Sequence, residues 1–161
     1  MKQKYCKRLA AVVMLLACSL YCSAQVEFLD RYKEAEGVRY TYISKYALDN
    51  MDLAKISFPS QDFTKLKGKL SSIQNLSSTA SASNEILAEV EAFVKKEKYE
   101  LVVMQSAKKA QSMSASIYFR EQTGKSSMFI VKKTGQSLHV IVLEGTFTLR
   151  DFMEENAFYY Q

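Results

Sequence analysis

One proline, one histidine, five glycines and no tryptophan deprive this 161-residue chain of several familiar signals. So little Gly and Pro excludes a collagen-like or low-complexity chain. One histidine excludes a metal site built from histidines alone within a single chain, and any imidazole base would have to be His139. Cysteine is scarcer than its count of three suggests, because Cys6, Cys18 and Cys22 all lie in the first 22 residues. No apolar run reaches the roughly 20 residues that span a membrane as a helix.

The first 24 residues read as a secretory signal peptide. Lys2, Lys4, Lys7 and Arg8 form a basic start without an acid, and an apolar run from Leu9 to Cys22 follows, broken only by Ser19. Cys22-Ser23-Ala24 then supplies small residues at the −3 and −1 positions of a cut before Gln25. A competing site is Leu15-Leu16-Ala17-Cys18, which has the look of a lipobox and would lipidate Cys18. The two differ in whether the product diffuses, periplasmic or secreted, or is tethered to a membrane leaflet. Removing residues 1–24 takes four cations and no anions, so the formal charge of +5 becomes 18 cations against 17 anions. A nearly neutral chain has no long-range field to steer it onto nucleic acid, and a membrane is met only through a lipid anchor. The cut also removes every thiol, so disulfides and thiolate chemistry go with it.

The composition of the remainder, 48% hydrophobic and 24% charged over the whole chain, suits one packed domain over 26–155, with an aromatic tail at 156–161. Residues 26–36 have helical spacing of Phe28, Leu29, Tyr32 and Ala35, with Gly37 where a left-handed cap is wanted. Alternation of Val38, Tyr40 and Tyr42 predicts a strand over 38–44. A short helix over 45–53 and a strand over 69–78 follow. Ile86, Leu87, Val90, Phe93 and Val94 form one apolar stripe of a helix over 84–98, with Glu85 near its start and Lys95, Lys96 and Lys98 at its end. Strands over 100–105, 114–121, 127–133 and 138–144 come next, the last three joined by turns at Gly124 and Gly135. Thr148 can cap a last helix over 149–155. The expected fold class is α+β: an antiparallel sheet of about five strands, a long helix packed on one face, and short flanking helices.

Chemistry-bearing patterns are sparse. Thr123-Gly124-Lys125-Ser126 has the look of the end of a P-loop, but Phe119 stands where that motif needs glycine, and the turn joins two strands. His139 shares a strand face with Ser137, Ile141 and Leu143 and is read as structural or surface; no Gly-x-Ser-x-Gly elbow accompanies it. The pairs and triplets Lys65/Lys67/Lys69, Lys108-Lys109 and Lys132-Lys133 are read as solvated lysines at strand edges and turns. Tyr40, Tyr42 and Tyr118 are the candidates for a binding surface, because tyrosine joins apolar area to a polar tip.

Glu36-Gly37-Val38 running into Tyr42-Ile43-Ser44-Lys45, then Lys69-Leu70-Ser71-Ser72-Ile73, and Ile141-Val142-Leu143-Glu144-Gly145 leading through Leu149-Arg150-Asp151, span most of residues 28–153. In these segments the chain resembles a family of small exported proteins of unknown function, domain of unknown function 4252, found chiefly in Bacteroides and related bacteria. Members typically carry a signal peptide or lipoprotein signal, which the resemblance implies here as well. It implies no activity, cofactor or catalytic residue. The expectation is an exported envelope protein, a non-enzymatic binding or structural module with an unidentified protein or envelope component as partner. A tethered lipoprotein with a signalling or stress role, or a hydrolase using His139, is the alternative.

Overall fold

The computed structural model describes residues 28–53, 58, 62–79, 82–105 and 113–156. The expected signal peptide, the expected cut after Ala24, Cys18, the pair Lys108-Lys109 and the tail beyond Asn156 lie outside the described residues. The chain divides into two units, Met1–Ala35 and Glu36–Gln161.

In the first unit, Phe28–Asp30 are helical and turns follow. The expected longer helix gives way to bonds three residues back, from the Tyr32 amide to Leu29 O and from the Ala35 amide to Tyr32 O, both at 3.1 Å. The Arg31 guanidinium lies 5.2 Å from the Phe28 ring centre and 5.4 Å from that of Tyr32.

The second unit opens at Gly37, which takes φ +72°. Strand β1 (Val38–Ser44) runs into helix α1 (Lys45–Asn50), capped by the Ser44 hydroxyl accepting from the Ala47 amide. That helix stops three residues before the expected Leu53, because Met51 turns extended. A 3-10 turn at Lys67–Lys69 leads into β2 (Leu70–Ser78). Then come α2 (Ala82–Lys96), β3 (Glu100–Gln105), β4 (Met113–Gln122), β5 (Lys125–Thr134), β6 (Ser137–Gly145) and α3 (Leu149–Asn156).

The strands form one antiparallel sheet in the order β1-β2-β6-β5-β4-β3. It has six strands rather than about five, because both outer strands, β1 and β3, join the same ladder. Counting through the antiparallel pairs makes β2 and β3 parallel, and α2 is the crossover between them, as parallel strands require. The interior strands β5 and β6 are buried on both faces, which explains their near-continuous apolar runs, Met128–Val131 and Val140–Leu143.

One face carries Ile43, Ile73, Leu143, Met128 and Phe119 in a row, with Ile141, Ile130 and Ile117 beside it. These join Leu48, Phe63, Leu66, Phe147 and Phe152 in a single apolar cluster. The other face carries Leu76, Val140, Val131, Val142 and Phe129. Ser83, Ile86, Val90 and Val94 of α2 are buried, and its Phe93 ring lies 5.7 Å from that of Phe129. Among the described residues, no helix is long and apolar enough to cross a membrane.

Candidate functional site

The three candidate tyrosines share the sheet face that carries Phe129. Residues in register across it run Tyr42, Gln74, Val142, Phe129, Tyr118. Three strands stand between Tyr42 and Tyr118, a separation of about 19 Å at ordinary strand spacing. The rings of Phe93 and Tyr99 crowd Phe129 in that interval, at 5.7 and 5.3 Å. Tyr118 is therefore not brought together with the other two. Tyr40 and Tyr42 sit two residues apart on β1, an outer strand. Tyr42 is 49% exposed, whereas Tyr40 is half-buried and donates its hydroxyl to Gln74 Oε1 at 3.3 Å. Gln74 is fully buried, and its Nε2 has no hydrogen-bond partner.

The opposite face holds a polar row: Arg39, Ser77, His139, Lys132. Ser77 Oγ and His139 Nδ1 are 3.0 Å apart, and Lys132 is directly opposite His139 on β5. Burial, and secondarily the Lys132 charge, pushes the His139 pKa down from 6.5. Burial likewise lowers that of Lys132. Lys132 is only 5% exposed, which corrects the reading of Lys132-Lys133 as a solvated pair. Their strand is interior, so alternation sends one lysine into the protein and lets the other reach Asn84 Oδ1 at 2.7 Å. Lys67 donates to the Met51 carbonyl, and Lys69 pairs with Asp151 at 2.7 Å.

A third cluster went unseen in the sequence. Arg120 lies 4.6 Å from the Tyr99 ring centre and donates to both the backbone oxygen and the carboxylate of Glu97 at 3.1 Å. Tyr99 donates to Ser127 Oγ at 2.9 Å, and burial raises its pKa. Ser127 faces Glu144 across the β5–β6 ladder, and Glu144 accepts from Ser72 at 2.8 Å. No local pattern announces this network, because its members come from four strands and the turn after α2. Thr123 and Gly124, both with positive φ, form the tight β4–β5 hairpin turn. Among the described residues, no three His, Cys, Asp or Glu side chains gather where they could hold a metal ion.

The family model for a domain of unknown function, DUF4252, matches residues 32–154, which include all six strands and α2. The chain belongs to the DUF4252 family. No curated protein and no solved structure matches it. Within the DUF4252 match lie both outer strands, the His139 row and the Tyr99 network. All the candidate groups described above are thus parts of the family domain rather than additions to it.

Proposed function

We propose that this chain is an exported cell-envelope protein that works as a non-enzymatic binding or structural module. One observation carries the binding role: both outer strands leave large apolar side chains in solvent. Tyr42 on β1 is 49% exposed, and Leu101 and Met104 on β3 are 51% and 71% exposed. Sheet edges are pairing sites by nature, and apolar side chains beside them mark contact surfaces rather than guarded ends. The long helix α2 belongs to this reading as the cover of the Phe129 face, supported by the Phe93–Phe129 contact and by Ser83 donating to Gln136 O at 2.7 Å. That cover leaves the sheet edges as the places where a partner can reach backbone.

The basic n-region and the Cys22-Ser23-Ala24 site support export. Intact mass of the cellular product tests it. A chain starting at Gln25 supports a free periplasmic or secreted protein, and an acylated chain starting at Cys18 supports a tethered lipoprotein. An unprocessed product in the cytosol overturns export. For binding, a photo-crosslinking side chain at Met104 in living cells should give adducts of discrete mass with an envelope component. Uncrosslinked protein alone, from Met104 and from Tyr42, overturns that role.

The 3.0 Å contact between Ser77 Oγ and His139 Nδ1 favours a second reading, a hydrolase in which His139 takes the Ser77 proton. Ester turnover that survives both Ser77→Ala and His139→Ala removes it.

A further inference from the structure

His139 sits on β6, between β2 and β5, and is the chain's one imidazole. Its cross-strand neighbours on the same face are Ser77 and Lys132. Directly opposite residues in an antiparallel ladder hold their β-carbons about 4.5–5.5 Å apart, where like charges repel. With Lys132 only 5% exposed and His139 half-buried, solvent screens such a repulsion only in part. The Ser77 hydroxyl can donate to a neutral Nδ1 or accept from a protonated one, so that hydrogen bond survives either state. Protonation is therefore opposed by burial first and by the Lys132 charge second, not by loss of the Ser77 hydrogen bond.

We propose that His139 is an acid-sensitive latch in the sheet: its protonation sets an imidazolium against Lys132 and loosens the β2–β6–β5 seam. The latch goes beyond the binding role and does not depend on it. Of the other charged groups on the same face, Arg39 is exposed and two strands away in the same row, and Glu121 on β4 and Glu100 on β3 are exposed. On the elements joined to that face through the apolar cluster, Lys45 is paired with Asp49, Asp151 with Lys69, and Lys67 with the Met51 carbonyl. Asp62 accepts from Thr64, and Asp52, Lys65, Arg150 and Glu154 are exposed.

The lowered His139 pKa fixes the sign. The folded chain takes up this proton less readily than the unfolded chain, whose imidazole titrates near 6.5. The latch is closed above pH 6.5 and opens progressively as pH falls through the folded-state value.

The single imidazole gives a single set of ring signals, so NMR titration of the protein isolated from cells reads the latch directly. A midpoint below 6.5 is expected, and Lys132→Gln should move it upward. Thermal unfolding should fall to lower temperature between pH 7 and 5, with a smaller fall in His139→Gln. A midpoint at or above 6.5, a midpoint unmoved by Lys132→Gln, or an equal thermal fall in His139→Gln overturns the proposal. Should His139→Gln fail to fold, the wild-type and Lys132→Gln titrations decide. Asp151, held near 2, is silent in that pH range.

Discussion

The carbonyl oxygen of Lys69 fills the space that a β-carbon on Gly145 would need. The same oxygen accepts the Thr146 amide at 2.8 Å, so neither backbone can retreat without losing that bond. The approach lies beside the register shift between Leu70 and Ser72, where β2 meets the end of β6. Gly145→Ala should destabilise the fold by about 1–3 kcal/mol or more, as overpacking against backbone does. Gly68→Ala, with nothing within 4 Å of the added methyl, is the matched control. Denaturant midpoints of the two variants check the contrast.

A reciprocal cap fixes the start of α3. The Thr148 amide donates to Asp151 Oδ2 at 2.8 Å, and the Asp151 amide donates to Thr148 Oγ1 at 3.2 Å. Lys69, which also crowds Gly145, adds an ion pair to the same carboxylate. The Lys69 hydrogen bond first, then those of Thr148, hold the Asp151 pKa at about 2 against an ordinary 3.8. Its folded value is depressed, so its stabilisation is present above pH 3.8 and is lost as pH falls through about 2. Asp151→Asn should flatten the stability profile in that acid window. Thr148→Ala should cost about 1 kcal/mol at neutral pH.

Most elements were legible because local rules decide them. The β3 bounds matched the expected 100–105, and both hairpins turned at Gly124 and Gly135, where φ is positive. What stayed hidden depends on strand order. Alternation in 125–134 shows that Lys132 and Lys133 face opposite ways, but not that β5 lies in the interior with both faces covered. The same blindness let Tyr40, Tyr42 and Tyr118 be grouped, since nothing local says that three strands separate the last from the others. The Ser77–His139 contact joins residues 62 apart and has no local signature either.

Phe129 is where the proposed cover by α2 can be tested. It is fully buried, with Phe93 at 5.7 Å and Tyr99 edge-on at 5.3 Å. Phe129→Ala should cost about 3–5 kcal/mol. Phe93→Ala, from the half-buried side of the same contact, should cost less. If α2 rests on this face, hydrogen exchange in α2 should accelerate in both variants ahead of β4. Unchanged protection in α2 would place the energetic role of these rings elsewhere.

Tyr40 and Tyr42 share one strand and one face yet should respond in opposite ways. Tyr40 supplies the hydrogen bond to the Oε1 atom of buried Gln74, whose Nε2 already lacks a partner. Tyr40→Phe removes only that oxygen and leaves the amide unsatisfied at both ends, so it should cost about 1–3 kcal/mol while changing little of the exposed surface. Tyr42 is half in solvent, so Tyr42→Ser should leave stability within about 0.5 kcal/mol. If the β1 edge is the binding edge, the order reverses for association: Tyr42→Ser should lower crosslinking yield from this edge, and Tyr40→Phe should preserve it in whatever fraction remains folded. Measuring both variants by thermal unfolding and by crosslinking separates a tyrosine that holds the sheet from one that serves a partner. Loss of stability in Tyr42→Ser without loss of crosslinking would assign Tyr42 to the fold and move the contact surface to Leu101 and Met104.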